Sequence, residues 1–148
     1  MGAAARVSSI AIALDALGDT GALWRDWLVD ARRRYRIDGA DLDRELPNWR
    51  PLLERFAEER APVYLRPDAD VSAALRRLHS SGARMGVFSD APEELARVAL
   101  AQLGAARRVV LLETGPGALA RLRTKLGDDV EVVESRSQLV ALGEALAS

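Results

Sequence analysis

The sequence predicts an α/β fold, a doubly wound parallel sheet, and three observations support this prediction. The length of 148 residues suits one domain with a buried core. Short aliphatic runs alternate with longer segments of helical periodicity over most of the chain. The aliphatic runs are nearly continuous, which is typical of strands buried on both faces of a sheet. Strands that alternate with helices form parallel sheets, with right-handed crossovers and helices on both faces.

The first predicted strand covers residues 7–14 and is closed by Asp15. After Thr20, a good helix N-cap, apolar residues follow the spacing of one helical face and predict a helix that ends near Gly39. Asn48 is expected to cap a second helix. Residues 20–63 thus contain helices only. We therefore predict one domain, with a small helical cap at about 20–63 inserted into a core of residues 1–19 and 64–148.

All three tryptophans, Trp24, Trp27 and Trp49, lie in these two predicted helices. They are expected to pack the cap onto itself and onto the sheet. The alternative is an exposed apolar patch that recruits a protein partner or a second copy of the chain, which would form a homodimer.

From residue 68 onward, helices and strands alternate regularly. Asp68 or Asp70 is expected to begin a helix that ends at Gly82. Three further strands are predicted at residues 84–88, 108–112 and 130–133. The helices that follow them are predicted at about 95–103, at 118–126 and, capped by Ser137, near the end of the chain.

Composition excludes several classes of function. The net charge is −1, from 21 basic and 22 acidic residues, so we predict binding neither to nucleic acid nor to a membrane surface. The chain has no cysteine, and its single histidine, His79, is predicted at a helix end, which leaves a Ser-His-Asp triad without a base. The first apolar run is too short to span a membrane and lacks a signal-peptide layout, so a cytoplasmic location is expected.

Each predicted strand ends at or next to a carboxylate, and these residues are Asp15, Asp90, Glu113 and Glu134. The carboxyl ends of parallel strands meet at one edge, where such sheets bind ligands, so the four acids are expected to share a rim. Converging carboxylates repel one another unless a cation lies between them. We therefore predict a divalent metal such as Mg²⁺. The alternative is that each acid only favours the N-terminus of the following helix.

The loop after the first strand resembles the first motif of the haloacid dehalogenase-like phosphatase superfamily. In that family an aliphatic strand ends in Asp-x-Asp-Gly-Thr/Val; the first Asp attacks phosphorus, the second is the general acid/base, and Mg²⁺ balances the charge. This chain has Ile12-Ala13-Leu14-Asp15-Ala16-Leu17-Gly18-Asp19-Thr20. The resemblance implies that Asp15 is the nucleophile and puts Leu17, which cannot transfer a proton, at the acid/base position. Asp19 would replace it only if the loop rearranged. An ungapped match through residues 17–20 instead puts Asp15 at the usual glycine and leaves the nucleophile position apolar.

The later motifs are matched unevenly. The strand ending Gly86-Val87-Phe88-Ser89-Asp90 resembles the second motif, which implies that Ser89 and Asp90 bind phosphate next to a helix N-terminus. The third motif supplies a lysine, but this chain has Glu113-Thr114-Gly115-Pro116-Gly117 there, and Lys125 is predicted deep in the next helix. The fourth motif is an acidic pair that binds Mg²⁺. Only Glu134 is present there, so the resemblance implies Asp15 and Glu134 as metal ligands.

Two hypotheses follow from this pattern. In the first, the domain has lost or nearly lost phosphatase chemistry and binds a small phosphorylated molecule or a protein partner. In the second, it is a working Mg²⁺-dependent phosphomonoester hydrolase in which Asp15 attacks, Ser89 holds the phosphate and Glu134 helps the metal. Asp19 or a water molecule would then act as the acid/base. A different doubly wound fold with an accidental likeness is the remaining interpretation.

Overall fold

The described strands form one four-stranded, wholly parallel sheet. A computed structural model of the chain describes residues 8–127 and 129–147, so residue 7 of the predicted first strand lies outside it. The strand order is β3-β2-β1-β4. The strands are β1 (Ser9–Ala13), β2 (Arg84–Ser89), β3 (Val109–Thr114) and β4 (Glu131–Val133). The predicted α/β class is confirmed, with a Rossmann-like parallel sheet.

Seven α-helices accompany the sheet in the described part of the chain. They are α1 (Thr20–Tyr35), α2 (Leu42–Glu45), α3 (Trp49–Tyr64), α4 (Ala69–Ser80), α5 (Glu93–Gln102), α6 (Ala118–Leu126) and α7 (Arg136–Ala147). The predicted bounds of α6 agree with the structure, and those of the other predicted helices are close. Helix α2 was not predicted, since four residues are too few to show a periodic pattern. No helix within residues 8–127 and 129–147 is both long and apolar enough to cross a membrane.

One face of the sheet carries most of the hydrophobic core. Ile10 and Ile12 of β1 lie beside Met85 and Val87 of β2 in the parallel register, and all four side chains are fully buried. Neighbouring residues in a parallel register share a face, because side chains alternate along each strand. Buried residues of α1, α3, α4, α5 and α7 pack in the same cluster. This face therefore supports the elements that surround the rim.

The opposite face is covered by α6. Leu122 and Leu126 of α6 form a second cluster with Ala11 of β1. Gly86 of β2 lies beside Ala11, and a Cβ at Gly86 would lie 2.5 Å from Cδ1 of Leu122. The missing side chain thus lets α6 approach the sheet closely. Helices lie on both faces, as a doubly wound sheet requires.

The helices of residues 20–64 share the main core. Trp27 of α1 and Leu53 of α3 belong to the same buried cluster as Ile10 and Met85, and α3 packs along α5. The segment is helical, as predicted, but its helices are continuous with the layer that covers the sheet. Its action as a cap over a ligand stays a prediction.

Two predicted helix caps are wrong by one or two residues. Asp19, not Thr20, caps α1, because Oδ1 of Asp19 accepts a hydrogen bond from the backbone N–H of Ala22 at 3.2 Å. The Thr20 hydroxyl is used elsewhere. Ser135, not Ser137, caps α7, since its Oγ accepts from the backbone N–H of Gln138 at 3.2 Å.

The segment from α3 to α4 differs from the prediction at one end only. Helices were predicted up to residue 63, and α3 continues to Tyr64 with Pro62 inside it. The backbone N–H of Leu65 still bonds to the carbonyl of Ala61 at 2.7 Å, which closes the last turn. Of the two predicted candidates, Asp68 caps α4, accepting hydrogen bonds from the N–H groups of Asp70 and Val71.

Candidate functional site

The parallel register brings the ends of all four strands to one edge of the sheet. Ala13 lies beside Phe88, Ser89 lies beside Thr114, and Ile12 lies beside Val133. The chain reverses its direction of winding at β1, which has β2 on one side and β4 on the other. In open α/β sheets ligands bind outside the carboxyl ends of the strands at such a point. A ligand-binding site is therefore expected at this edge.

Two cavities open at this edge, and Asp15 lines both. The first, here called the small pocket, has a volume of about 220 Å³. It is lined by Ala13, Leu14, Asp15, Thr20, Gly21, Trp24, Phe88, Ser89, Asp90 and Ala91. The second, here called the large groove, has a volume of about 540 Å³. It is lined by Asp15, Ala16, Leu17, Gly18, Asp19, Val63, Tyr64, Arg66, Asp68, Val71 and Arg136.

Asp15 is held in place by a buried hydroxyl. It lies in a 3-10 turn, Leu14–Ala16, directly after β1. The hydroxyl of Thr20, which is only 2% exposed, donates a hydrogen bond of 2.6 Å to Oδ1 of Asp15. In the described part of the chain no hydrogen bond reaches the other oxygen, Oδ2. One oxygen thus fixes the orientation of the carboxylate, and the other stays open to a ligand.

A buried leucine occupies the position where the resemblance implies an acid/base carboxylate. Leu17 is 4% exposed and packs in the main hydrophobic core. Asp19, the predicted substitute, lines the large groove together with Asp15, but its Oδ1 is engaged as the cap of α1. The structure therefore brings Asp15 and Asp19 to one cavity while giving Asp19 a local structural role.

Ser89 and Asp90 share the small pocket with Asp15. The Ser89 hydroxyl oxygen accepts a hydrogen bond from the backbone N–H of Ala91 at 3.0 Å. Helix α5 begins with two acidic residues, Glu93 and Glu94, and its N-cap, Pro92, makes no side-chain cap bond. Acidic residues in the first turn compensate the positive end of the helix dipole, which a phosphate would otherwise use. Phosphate binding by Ser89 and Asp90 stays a prediction, and the surrounding charges do not favour it.

Glu113 is engaged by two basic side chains of α6. Lys125 Nζ donates a hydrogen bond to one of its carboxylate oxygens, and Arg121 Nε donates to the other at 2.8 Å. The hydrogen bonds from Lys125 and then Arg121 hold the pKa of Glu113 below its ordinary value of 4.5. Glu113, the penultimate residue of β3, is therefore paired with Arg121 and with Lys125, the chain's only lysine.

Glu134 follows β4 but lines neither cavity. The backbone N–H groups of Glu134 and Ser135 donate to Oε1 of Gln138. The structure thus does not bring Glu134 and Asp15, the two predicted metal ligands, into a shared cavity. Within the described ranges, no group of three or more Asp, Glu or His side chains is placed to hold a metal ion. The Mg²⁺ site stays a prediction.

An ion-pair cluster in the large groove was not predicted. Arg136, the first residue of α7, donates from Nε to Oδ2 of Asp68 at 2.9 Å and from Nη2 to Oδ2 of Asp70 at 3.2 Å. The hydrogen bond from Arg136 lowers the pKa of Asp68, and the same contact raises the pKa of Arg136. Arg66 also lines the groove, without an ion pair among the described residues. Arg136 and Asp68 are far apart in sequence, so no local pattern links them.

The three tryptophans pack against one another. Trp27 and Trp49 are 2% and 6% exposed, so they do not form an exposed patch. Trp24 stacks on Trp27 with ring centroids 5.5 Å apart, and it also lines the small pocket. The sequence predicted the packing but not the contact with the pocket. A homodimer through these helices stays a prediction.

The fold and the site define the class as an α/β protein with a parallel sheet and an acidic crevice at the carboxyl edge. No family model, curated protein or solved structure matches this chain. The likeness to the haloacid dehalogenase-like superfamily therefore rests on the motif residues alone.

Proposed function

We propose that this chain is a domain of haloacid dehalogenase-like fold that has lost or nearly lost phosphatase activity and works by binding a ligand at the carboxyl edge of its sheet. One observation carries the proposal: the side chains that phosphoryl transfer would need are replaced or engaged elsewhere. Leu17 is buried at the acid/base position, Asp19 caps α1, and Lys125 is paired with Glu113. The two cavities at the edge of the sheet are present, and Asp15 lines both.

The cost of these changes to catalysis is large. General acid/base help contributes about 10²–10⁴ in rate, and losing one charge-stabilising donor costs about 10²–10³ more. Among the described residues no lysine lines either cavity, and Arg136 in the large groove is already bonded to two carboxylates. Turnover of a phosphate monoester is therefore expected to be about 10⁴–10⁷-fold slower than in a phosphatase with both groups in place.

A small ligand fits the crevice better than a protein surface does. The large groove and the small pocket are concave and adjacent, since Asp15 lines both. Small-molecule sites are concave, with a few converging polar groups. A phosphorylated molecule would find its positive partner at Arg66, in the large groove.

The rival function is a working Mg²⁺-dependent phosphomonoester hydrolase. It is supported by the shared position of Asp15 and Ser89 in the small pocket and by the hydrogen bond that orients Asp15. Mg²⁺ prefers carboxylate oxygens, and Asp15 has one oxygen open. A water molecule would then have to provide the proton transfer that Leu17 cannot.

Hydrolysis of p-nitrophenyl phosphate with Mg²⁺ separates the two functions. We expect no release of p-nitrophenol above buffer, for the wild type and for Asp15→Asn alike. Asp129→Asn is the matched control, because Asp129 is exposed near the opposite edge of the sheet. Robust turnover that Asp15→Asn abolishes and Asp129→Asn retains would establish the hydrolase instead.

A further inference from the structure

The small pocket combines negative charge with aromatic surface. Its two ionisable lining residues are Asp15 and Asp90, and its two aromatic lining residues are Trp24 and Phe88. No Arg or Lys of the described chain lines it. A phosphate group would meet two carboxylates and no fixed positive charge there. The pocket is therefore matched to a cation.

Both carboxylates have open hydrogen-bonding capacity. Thr20 occupies only Oδ1 of Asp15, and no hydrogen bond or ion pair to the Asp90 carboxylate is found in the described ranges. A charged N–H donor bonds to a carboxylate more strongly than a neutral donor does. An ammonium group carries three N–H bonds, which is enough to provide a donor for each carboxylate.

The aromatic wall adds a second attraction for positive charge. The Trp24 ring is stacked on Trp27, with 15° between the ring planes, so its orientation is fixed. The face of an indole attracts an ammonium group held within about 6 Å of the ring. Phe88 provides apolar surface beside it for a short alkyl chain.

We propose that the small pocket binds a small organic cation, a primary ammonium group on a short alkyl chain. This inference rests on the proposed function. If the domain binds its ligand without hydrolysing a phosphate monoester, the pocket that contains Asp15 and Ser89 does not have to hold a phosphate group. The volume of about 220 Å³ lies below the range of drug-sized ligand sites, so the ligand is expected to be small. An organic cation suits the pocket better than Mg²⁺ does, because Trp24 and Phe88 line it with aromatic surface and offer no oxygen ligand.

The test is a titration with n-propylammonium chloride, followed by ¹H–¹⁵N correlation spectra of the protein. We expect saturable shifts in the amide signals of residues 15–24 and 88–91. Sodium chloride at equal ionic strength and the neutral analogue 1-propanol are expected to leave these signals in place. Equal shifts with 1-propanol would overturn the proposal, because the pocket would then recognise only the alkyl chain.

Substitutions in the pocket test the assignment of residues. Asp15→Asn and Asp90→Asn are each expected to weaken binding about five- to tenfold, since each removes one charge-assisted contact. Trp24→Leu is expected to weaken it about three- to tenfold through the lost cation–π contact. Asp129→Asn makes the same chemical change away from the pocket and is expected to bind like the wild type. Spectra of the free variants are recorded first, to check that each one is folded.

The outcome also separates this inference from the proposed function. Parallel titrations use MgCl₂ alone, inorganic phosphate alone and both together. Shifts at residues 88–91 with Mg²⁺ and phosphate, but none with propylammonium, would overturn the cation site. Hydrolysis of p-nitrophenyl phosphate that depends on Asp15 would remove the proposed function itself. Without hydrolysis, a failure of propylammonium to bind removes the ligand assignment alone.

Discussion

A single residue, Leu17, decides how the first motif is interpreted. In the sequence it stands where the resemblance implies a carboxylate that transfers a proton. In the structure its side chain is 4% exposed and packs in the main core, two residues after Asp15 at the rim. A leucine at the position where the resemblance implies a carboxylate is thus part of the packing of the core. A change at this position affects stability as well as chemistry.

Leu17→Asp tests this coupling. An ionised or unpaired carboxyl placed among buried aliphatic side chains should lower the free energy of unfolding by about 2–4 kcal/mol. It should not create phosphatase activity, because the other needed groups remain engaged. Urea unfolding and p-nitrophenyl phosphate hydrolysis measure the two effects. The control Leu17→Met keeps the volume and should cost less than about 1.5 kcal/mol. A stable, hydrolytically active Leu17→Asp protein would contradict this interpretation.

The elements were predicted better than the contacts between them. Strand positions follow from continuous aliphatic runs, and α6 from its apolar period, so local patterns were enough. Caps were harder to predict, because Asp19 and Thr20 are both good N-cap residues. Thr20 instead donates to Asp15, a contact that only the folded turn creates. The pairing of Arg136 with Asp68 was out of reach of any local pattern, since it joins the start of α7 to the start of α4.

Helices α4 and α7 pack closely at Gly143. A Cβ at this position would lie 2.7 Å from both Cα and Cβ of Ala74. The obstacle includes backbone, so a methyl group can fit only if the helices separate. The ion pairs of Arg136 with Asp68 and Asp70 join the same two helices at the large groove. A shift between α4 and α7 would therefore also move the groove.

Gly143→Ala is expected to lower the free energy of unfolding by about 1–3 kcal/mol through overpacking, although alanine favours helix by about 1 kcal/mol. Gly21→Ala in α1 is the matched control. Its nearest neighbour is the flexible tip of Arg25 at 3.1 Å, so this variant should be neutral or more stable. Urea unfolding followed by tryptophan fluorescence measures both. Equal effects of the two substitutions would show that the close contact with Ala74 does not determine the change in unfolding free energy.

At the scale of the whole molecule, paired carboxylates make the fold sensitive to acid. Hydrogen bonds from Arg136 lower the pKa of Asp68, and those from Lys125 and Arg121 lower the pKa of Glu113. A lowered pKa in the folded state means that the unfolded chain binds the proton more readily. The stabilisation is therefore present above the ordinary values of 3.8 for Asp68 and 4.5 for Glu113, and it is lost as the pH falls through the folded-state values.

Glu113→Gln tests the carboxylate that is paired with two basic side chains of α6. The wild type should exceed this variant in unfolding free energy by about 0.5–1 kcal/mol at pH 7, since the basic partners are half-exposed and screened. The difference should shrink as the pH falls from about 5 towards 3, because a protonated Glu113 is neutral, as is the glutamine of the variant. Urea unfolding at a series of pH values measures this difference.

The control is Glu131→Gln, an exposed change without a described ion pair, which should show no such trend. A gap between wild type and Glu113→Gln that stays constant down to pH 3 would mean that the contacts of Glu113 stabilise the fold through packing, independently of its charge.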